Sequence, residues 1–167
     1  MQERIAAAPL ICVQNPYSLL NRSLESEMFP MVRAMGLGVM AYAPLATGLL
    51  SGAYTPGQEA APETLWGSRR RGHLTRVLSG RPAEVLSTVR ELADRHSATV
   101  AQVALKWVIS RPEITVAISG ADTDAQLAEN LGAVDLALTP DELARLDAVS
   151  TGLGLALDGP EFHGPGR

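Results

Sequence analysis

The chain has 167 residues, 46% of them hydrophobic and 19% charged, which is long enough for one compact domain and too apolar for a disordered segment. A net charge of −4 removes any general electrostatic attraction to nucleic acid or to an anionic membrane surface. Cys12 is the single cysteine and has no intrachain disulfide partner, which suits a reducing cytoplasm. No apolar run reaches the roughly 18 residues a membrane-spanning helix needs. The opening MQERIAAAPLICV lacks the length and charge order of a secretory signal and reads as a helix end entering a strand.

The first predicted strand is Leu10 to Gln14, a short apolar run of the kind buried on both faces of a parallel sheet. Residues Ser23 to Met35 follow with a helical apolar spacing that Pro30 interrupts or restarts, and Gly36 and Gly38 end it. Leu37 to Tyr42 is the second strand, stopped by Pro44. From Gly52 to Arg81 runs a segment rich in Gly, Pro and Arg, long enough to be either a functional loop or a disordered one.

Helices resume at Pro82, with Val85, Val89, Leu92 and Ala93 as one apolar stripe. Thr99 to Gln102 has the form of a capping box, opening a helix whose face is Val100, Val103, Ala104, Trp107 and Val108. Ile114 to Gly120 is the third strand, dense in β-branched residues. Thr123 and Thr139 each open a further helix in the same capping-box form, the second carrying Leu143, Leu146 and Val149 on one face. A glycine-rich tail from Thr151 to Arg167 is expected to be flexible, leaving residues 1–150 as the folded unit.

Strands alternating with helices imply an α/β fold with a parallel sheet. Only three strands are legible. A closed (β/α)8 barrel needs eight and typically about 250 residues. An isolated three-strand piece leaves two edges open, and each buried backbone group without a partner costs about 1–3 kcal/mol against a net domain stability of about 5–15 kcal/mol. Such a chain is expected to belong to a larger protein, to pair with another chain, or to self-associate through its edges.

Three segments carry a family resemblance: VQNPYSLLNRSLESEMFP, GLGVMAYAPLATGLLSGAY, and ATVAQVALKWVISRPEITVAISGADTDAQLAENLGA with its following LTPDELARLD. In that order and spacing they resemble the aldo-keto reductases, in particular the branch of bacterial general reductases and potassium-channel β subunits. The resemblance implies the last three β/α units of a TIM barrel, with C-terminal helices, on the side that binds NADP(H) or, alternatively, NAD(H). Gln14 is then matched to the glutamine that pairs with the nicotinamide carboxamide, and Tyr42 to the aromatic residue that stacks on the nicotinamide ring. Ala43, Pro44, Leu45, Thr47 and Gly48 match the loop around the pyrophosphate, and Arg69 a loop arginine that reaches the cofactor phosphates. Gly120, Gln126, Glu129 and Asn130 match the strand end and helix that cradle the adenosine portion.

The residues taken alone also admit plainer roles. Gln14 could satisfy backbone at a strand end, Tyr42 could be a core aromatic with its hydroxyl at the rim, and Gln126 and Glu129 could be capping and solvated helix residues. The basic cluster Arg69, Arg70, Arg71 and Arg76 could be a solvated loop. His96 reads as structural, and His73 and His163 lie in loops without ligands at metal-binding spacing, so no metal site is expected.

The departures from the family pattern also matter. Ala53 stands where the family often has a phosphate-contacting lysine, and Asp122 where it places a small polar or basic residue near the adenosine 2′-phosphate. The family's catalytic Asp, Tyr, Lys and His belong to strands and loops earlier than this sequence, and Tyr17, Tyr42 and Tyr54 match none of them. The expectation is therefore the cofactor-binding, C-terminal part of a carbonyl reductase, inactive alone. The alternative is a non-enzymatic module that binds a nucleotide or a protein and oligomerises through exposed barrel edges; a third reading is a fragment without function of its own.

Overall fold

The computed structural model describes residues 8–157. Within them the elements run β1 (Cys12–Pro16), α1 (Met28–Met35), β2 (Gly38–Tyr42), α2 (Leu74–Val77), α3 (Arg81–His96), α4 (Val100–Ile109), β3 (Ile114–Ile118), α5 (Asp124–Leu131) and α6 (Pro140–Ser150), with a 3-10 turn at Ser23–Glu25. The strands form one sheet in the order β1-β2-β3, both pairs parallel. The chain is thus α/β, with three parallel strands and six helices among the described residues.

Strand β1 pairs with β2 in unbroken register from Cys12 opposite Gly38 to Pro16 opposite Tyr42. Between β2 and β3 the register slips after Val39, which pairs with Ile114 while Met40 pairs with Val116. The extra residue is Thr115, and the slip keeps apolar Ile114 and Ala117 on the side where Val39 and Ala41 lie fully buried. The expectation of strands buried on both faces does not hold. Cys12 and Gln14 are exposed, as are Val116 and Ile118 on β3, because helices cover only one face of the sheet. Cys12 and Met40 meet on the uncovered face, their sulfurs 3.8 Å apart.

The helices form where their ends are chemically marked. Thr99 and Thr139 each accept the backbone N–H three residues on, while the side chains of Gln102 and Glu142 reach back to the capping residue, completing two capping boxes. Gly36 ends α1 at φ 66°, a left-handed cap that a residue with a Cβ adopts only at a cost. Pro30 does not interrupt α1. It lies in the first turn, where its missing N–H has no intrahelical acceptor to lose, and the break falls earlier, between the 3-10 turn and Met28.

The covered face is closed by α3, α4 and α6. Val85, Val89 and Leu92 of α3, Val103, Trp107 and Val108 of α4, and Leu146 of α6 are fully buried. Trp107 stacks on Tyr17 at 5.3 Å and donates its indole N–H to Asp147 at 3.0 Å, while Arg22 and Arg111 both lie over its ring. Arg22 also donates to the carbonyl of Asp147 and to Ser150, so the loop after β1 is tied to the end of α6. Residues 151–157 continue along that loop. Arg22 N–H donates to the Leu153 carbonyl, Leu155 N–H donates to the Leu20 carbonyl, and Leu157 is buried. The rest of the sequence-predicted tail, with His163, and the first seven residues lie outside the described residues.

Candidate functional site

A cleft of about 600 Å3 opens beyond the C-terminal ends of β2 and β3, the end of a parallel sheet where ligands gather in α/β proteins. One wall is the chain leaving β2. Ala43, Ala46 and Thr47 there have φ of 50°, 50° and 52°, and Gly48 has 87°. Left-handed backbone costs a non-glycine residue about 1–2 kcal/mol, so three such residues in five positions must be held by what surrounds them.

Their surroundings are visible. The Ala46 N–H donates to the Ala43 carbonyl and the Gly48 N–H to the Leu45 carbonyl, closing two tight turns. Leu49 and Leu50 anchor the loop in the core. Trp66, buried within the long Gly52–Arg81 segment, donates its indole N–H to the Thr47 carbonyl at 3.1 Å. Arg70 stacks over the Trp66 ring and donates to the Thr47 hydroxyl at 3.2 Å. Arg90 of α3 donates to the Tyr54 carbonyl, fixing the far end of the same wall.

The opposite wall is the turn from β3 into α5. Asn130 donates to both Ser119 Oγ and the Gly120 carbonyl, bracing the strand end against the helix. The Thr123 hydroxyl caps α5 by accepting the Gln126 N–H, and the Gln126 side chain accepts the Asp122 N–H at 2.7 Å. Thr123 therefore supplies half of a capping box; the glutamine of the motif turns to Asp122 instead. Gln102 of α4 holds α5 in place by donating to the Glu129 carbonyl.

Ala43, Pro44, Leu45, Thr47 and Gly48 line one side of this cleft, and Gly120, Gln126, Glu129 and Asn130 the other. Gln14 and Tyr42 do not line it. By strand alternation both lie on the uncovered face of the sheet, Gln14 opposite Met40 and Tyr42 opposite Pro16. Tyr42 borders a smaller pocket of about 50 Å3 that shares Ala43 and Thr47 with the large cleft. Arg69 is exposed and outside the lining, whereas its neighbour Arg70 is buried and bonded to Thr47. Sequence reasoning passed over Trp66 and read Arg70 as part of a solvated basic loop, which its burial corrects; a tryptophan four residues before an arginine inside a polar loop is a signal that the loop packs. Glu63, Thr64, Tyr54 and Ser119 also line the cleft and had no sequence signal of their own.

The lining contains three carboxylates, Glu63, Asp122 and Glu129, and no lysine or arginine. A parallel α/β sheet with a cleft at its carboxyl edge defines a protein class that places a small-molecule ligand against strand ends and helix starts.

The chain belongs to the aldo/keto reductase family, whose model matches residues 2–151. It is 30% identical over 142 residues to a probable voltage-gated potassium channel subunit beta of Oryza sativa subsp. japonica, covering 83% of this chain and 43% of the relative. It is 33% identical over 142 residues to protein tas of Escherichia coli (strain K12), covering 84% and 40%. A third relative, the NADH-specific methylglyoxal reductase of the same strain, is 29% identical over 143 residues, covering 83% and 41%. The chain thus spans about two fifths of the length of these curated relatives. The family generally uses a nicotinamide dinucleotide. No helix among the described residues is long and apolar enough to cross a membrane.

Proposed function

We propose that this chain forms the dinucleotide-binding part of a cytoplasmic NAD(P)H-dependent carbonyl reductase, a portion of a (β/α)8 barrel whose remaining strands lie outside it. The observation that carries this reading is the cleft. Its volume falls in the range of cofactor sites, about 300–1,000 Å3. The loop and the helix start that the family resemblance assigns to pyrophosphate and adenosine both face into it.

In this reading Gln14 pairs with the nicotinamide carboxamide and Tyr42 stacks on the ring. The 43–48 loop receives the diphosphate, with the Arg70 guanidinium, bonded to Thr47, as its cation in place of Arg69. Gly120, Gln126, Glu129 and Asn130 hold the adenosine end. The reduced dinucleotide, when bound, supplies a hydride to a carbonyl carbon. The carbonyl oxygen then needs a proton, and among the described residues Tyr17 is not suited to give it. Tyr17 is buried, which with its hydrogen bond to Glu25 pushes its phenol well above the ordinary range, and that bond already occupies its proton. Residues 1–150 constitute the barrel portion and 151–167 the tail.

The test is to titrate the purified chain with NADH and NADPH while following the emission of Trp66 and Trp107, then to assay carbonyl reduction. Saturable binding without turnover is expected. Reduction of an aldehyde by the chain alone would overturn the division of labour, and absence of any dinucleotide binding would overturn the assignment of the cleft.

A second reading is favoured by one observation: Val116 and Ile118 on the open sheet face, and Leu127, Leu131 and Val134 along and just after α5, are exposed. Apolar surface of this kind is suited to association with another chain. A stable homo-oligomer that binds no dinucleotide would replace the first reading with the second.

A further inference from the structure

Resting on the reading that the cleft holds a nicotinamide dinucleotide, we propose that it selects NAD(H) over NADP(H), with Asp122 as the chief discriminating residue. The argument is the distribution of charge. The two cofactors differ by one phosphate on the adenosine ribose, which carries close to two negative charges at neutral pH. Of Asp, Glu, His, Lys and Arg, the lining holds carboxylates alone: Glu63, Asp122 and Glu129. Two of the three, Asp122 and Glu129, stand on the β3–α5 wall, and α5 itself carries no basic residue from Asp124 to Leu131.

Two cations outside the lining are bonded elsewhere. Arg70 is bonded to Thr47 on the opposite wall, and Lys106 donates to the Val134 carbonyl beyond the end of α5. The start of α5, a natural donor site for a phosphate, is served in part from within. Thr123 accepts the Gln126 N–H, Gln126 accepts the Asp122 N–H, and Asp124 places a carboxylate in the first turn. That hydrogen bond fixes the backbone of Asp122 at the mouth of the wall and leaves its exposed carboxylate without a basic neighbour in the lining.

A free ribose has hydroxyls that donate to a carboxylate, a charge-assisted bond roughly twice as strong as a neutral one. A phosphate in the same place has no proton to offer at neutral pH and meets like charge. Like charges brought together repel even across water. A cleft lined by carboxylates and by no lysine or arginine therefore predicts a preference of roughly 10-fold or more for the ligand without the 2′-phosphate.

The experiment is isothermal titration of the 167-residue chain with ADP-ribose and 2′-phospho-ADP-ribose, and with NADH and NADPH. Each ligand without the 2′-phosphate should bind roughly 10-fold or more tightly than its phosphorylated counterpart, and the gap should narrow as salt screens the repulsion. Asp122→Asn should shrink the ratio several-fold and Asp122→Lys should bring it to unity or invert it. Glu59→Gln, at an exposed carboxylate outside the lining, should leave it unchanged. Equal or tighter binding of the 2′-phosphorylated ligands, or an Asp122→Asn ratio equal to that of the parent chain, would overturn the selectivity while leaving the cleft as a dinucleotide site. Failure of all four ligands to bind would remove the cleft assignment and this proposal with it.

Discussion

The two faces of the sheet are made by the same three strands, yet they belong to different kinds of surface. On one, Val39 and Ala41 are sealed under α3, α4 and α6, and the seal is completed by a polar frame around Trp107 and Asp147. On the other, Gln14, Val116 and Ile118 meet solvent, and the outer edges of β1 and β3 have no strand beside them among the described residues. The contrast repeats among the helices: α4 buries most of its residues, and α5 buries none. A finished core on one side and exposed apolar surface on the other is consistent with a partial (β/α) barrel.

The strongest way to break the comparison is through the frame of the covered side. Trp107→Ala removes a fully buried ring, its stacking on Tyr17 and its bond to Asp147. It should cost about 3–5 kcal/mol, read as a lowered urea midpoint by the emission of Trp66. A loss under about 1 kcal/mol would mean that the covered face is not the stabilising one.

A direct pairing comes next. Val39→Ala on the covered face should destabilise by about 1–3 kcal/mol, and Val116→Ala on the open face by less than about 0.5 kcal/mol. Equal losses would show that in solution the second face is covered too. Light scattering on the same samples would then reveal whether a second copy covers it.

The link between α3 and α6 offers a smaller, pH-dependent effect. Glu142 accepts hydrogen bonds from the Thr139 backbone, from His96 and from Arg95. The Thr139 backbone bond, followed by those from His96 and from the Thr139 hydroxyl, holds its carboxyl down at about 2, against the usual 4.5. A folded-state value below the unfolded one means that the stabilisation is present above pH 4.5 and is lost as pH falls towards 2. Glu142→Gln should cost about 1–2 kcal/mol at pH 7, and its urea midpoint should converge with that of the parent chain across that acid window. A difference that persists at the acid end would remove the carboxylate as its cause.

The smallest effect on stability is also the most diagnostic of the site. Gln14 is exposed, so Gln14→Ala should change stability by less than about 0.5 kcal/mol. It should nonetheless weaken NADH several-fold and leave ADP-ribose unaffected, since only the former carries the carboxamide. Equal weakening of both would detach Gln14 from the nicotinamide end.

Much of the chain's local structure is legible without coordinates. The threonine caps of α4 and α6 announce themselves by a Thr followed three residues later by Gln or Glu. The left-handed end of α1 is announced by Gly36, and the buried stripe of α3 by its spacing. These are short-range effects, decided by residues within one or two helical turns. Pro30 left an interruption and a restart both open, and its place in the first turn of α1, after the break that follows the 3-10 turn, fits the restart.

The site divides along the same line. Sequence by itself determined the alternation of strands and helices, the helix ends and the family resemblance, since each rests on neighbours in the chain. It could not decide which strand face would be covered. An apolar β-branched run looks alike whether helices pack on one side or both, and coverage depends on elements distant in sequence. Nor could it separate Arg69 from Arg70. Adjacent side chains point apart, and only the packing of Trp66 under Thr47 turned Arg70 towards the loop and left Arg69 in solvent. The sign of the cleft was decided in the same way, because Glu63 joins Asp122 and Glu129 in the lining only once the long loop has folded.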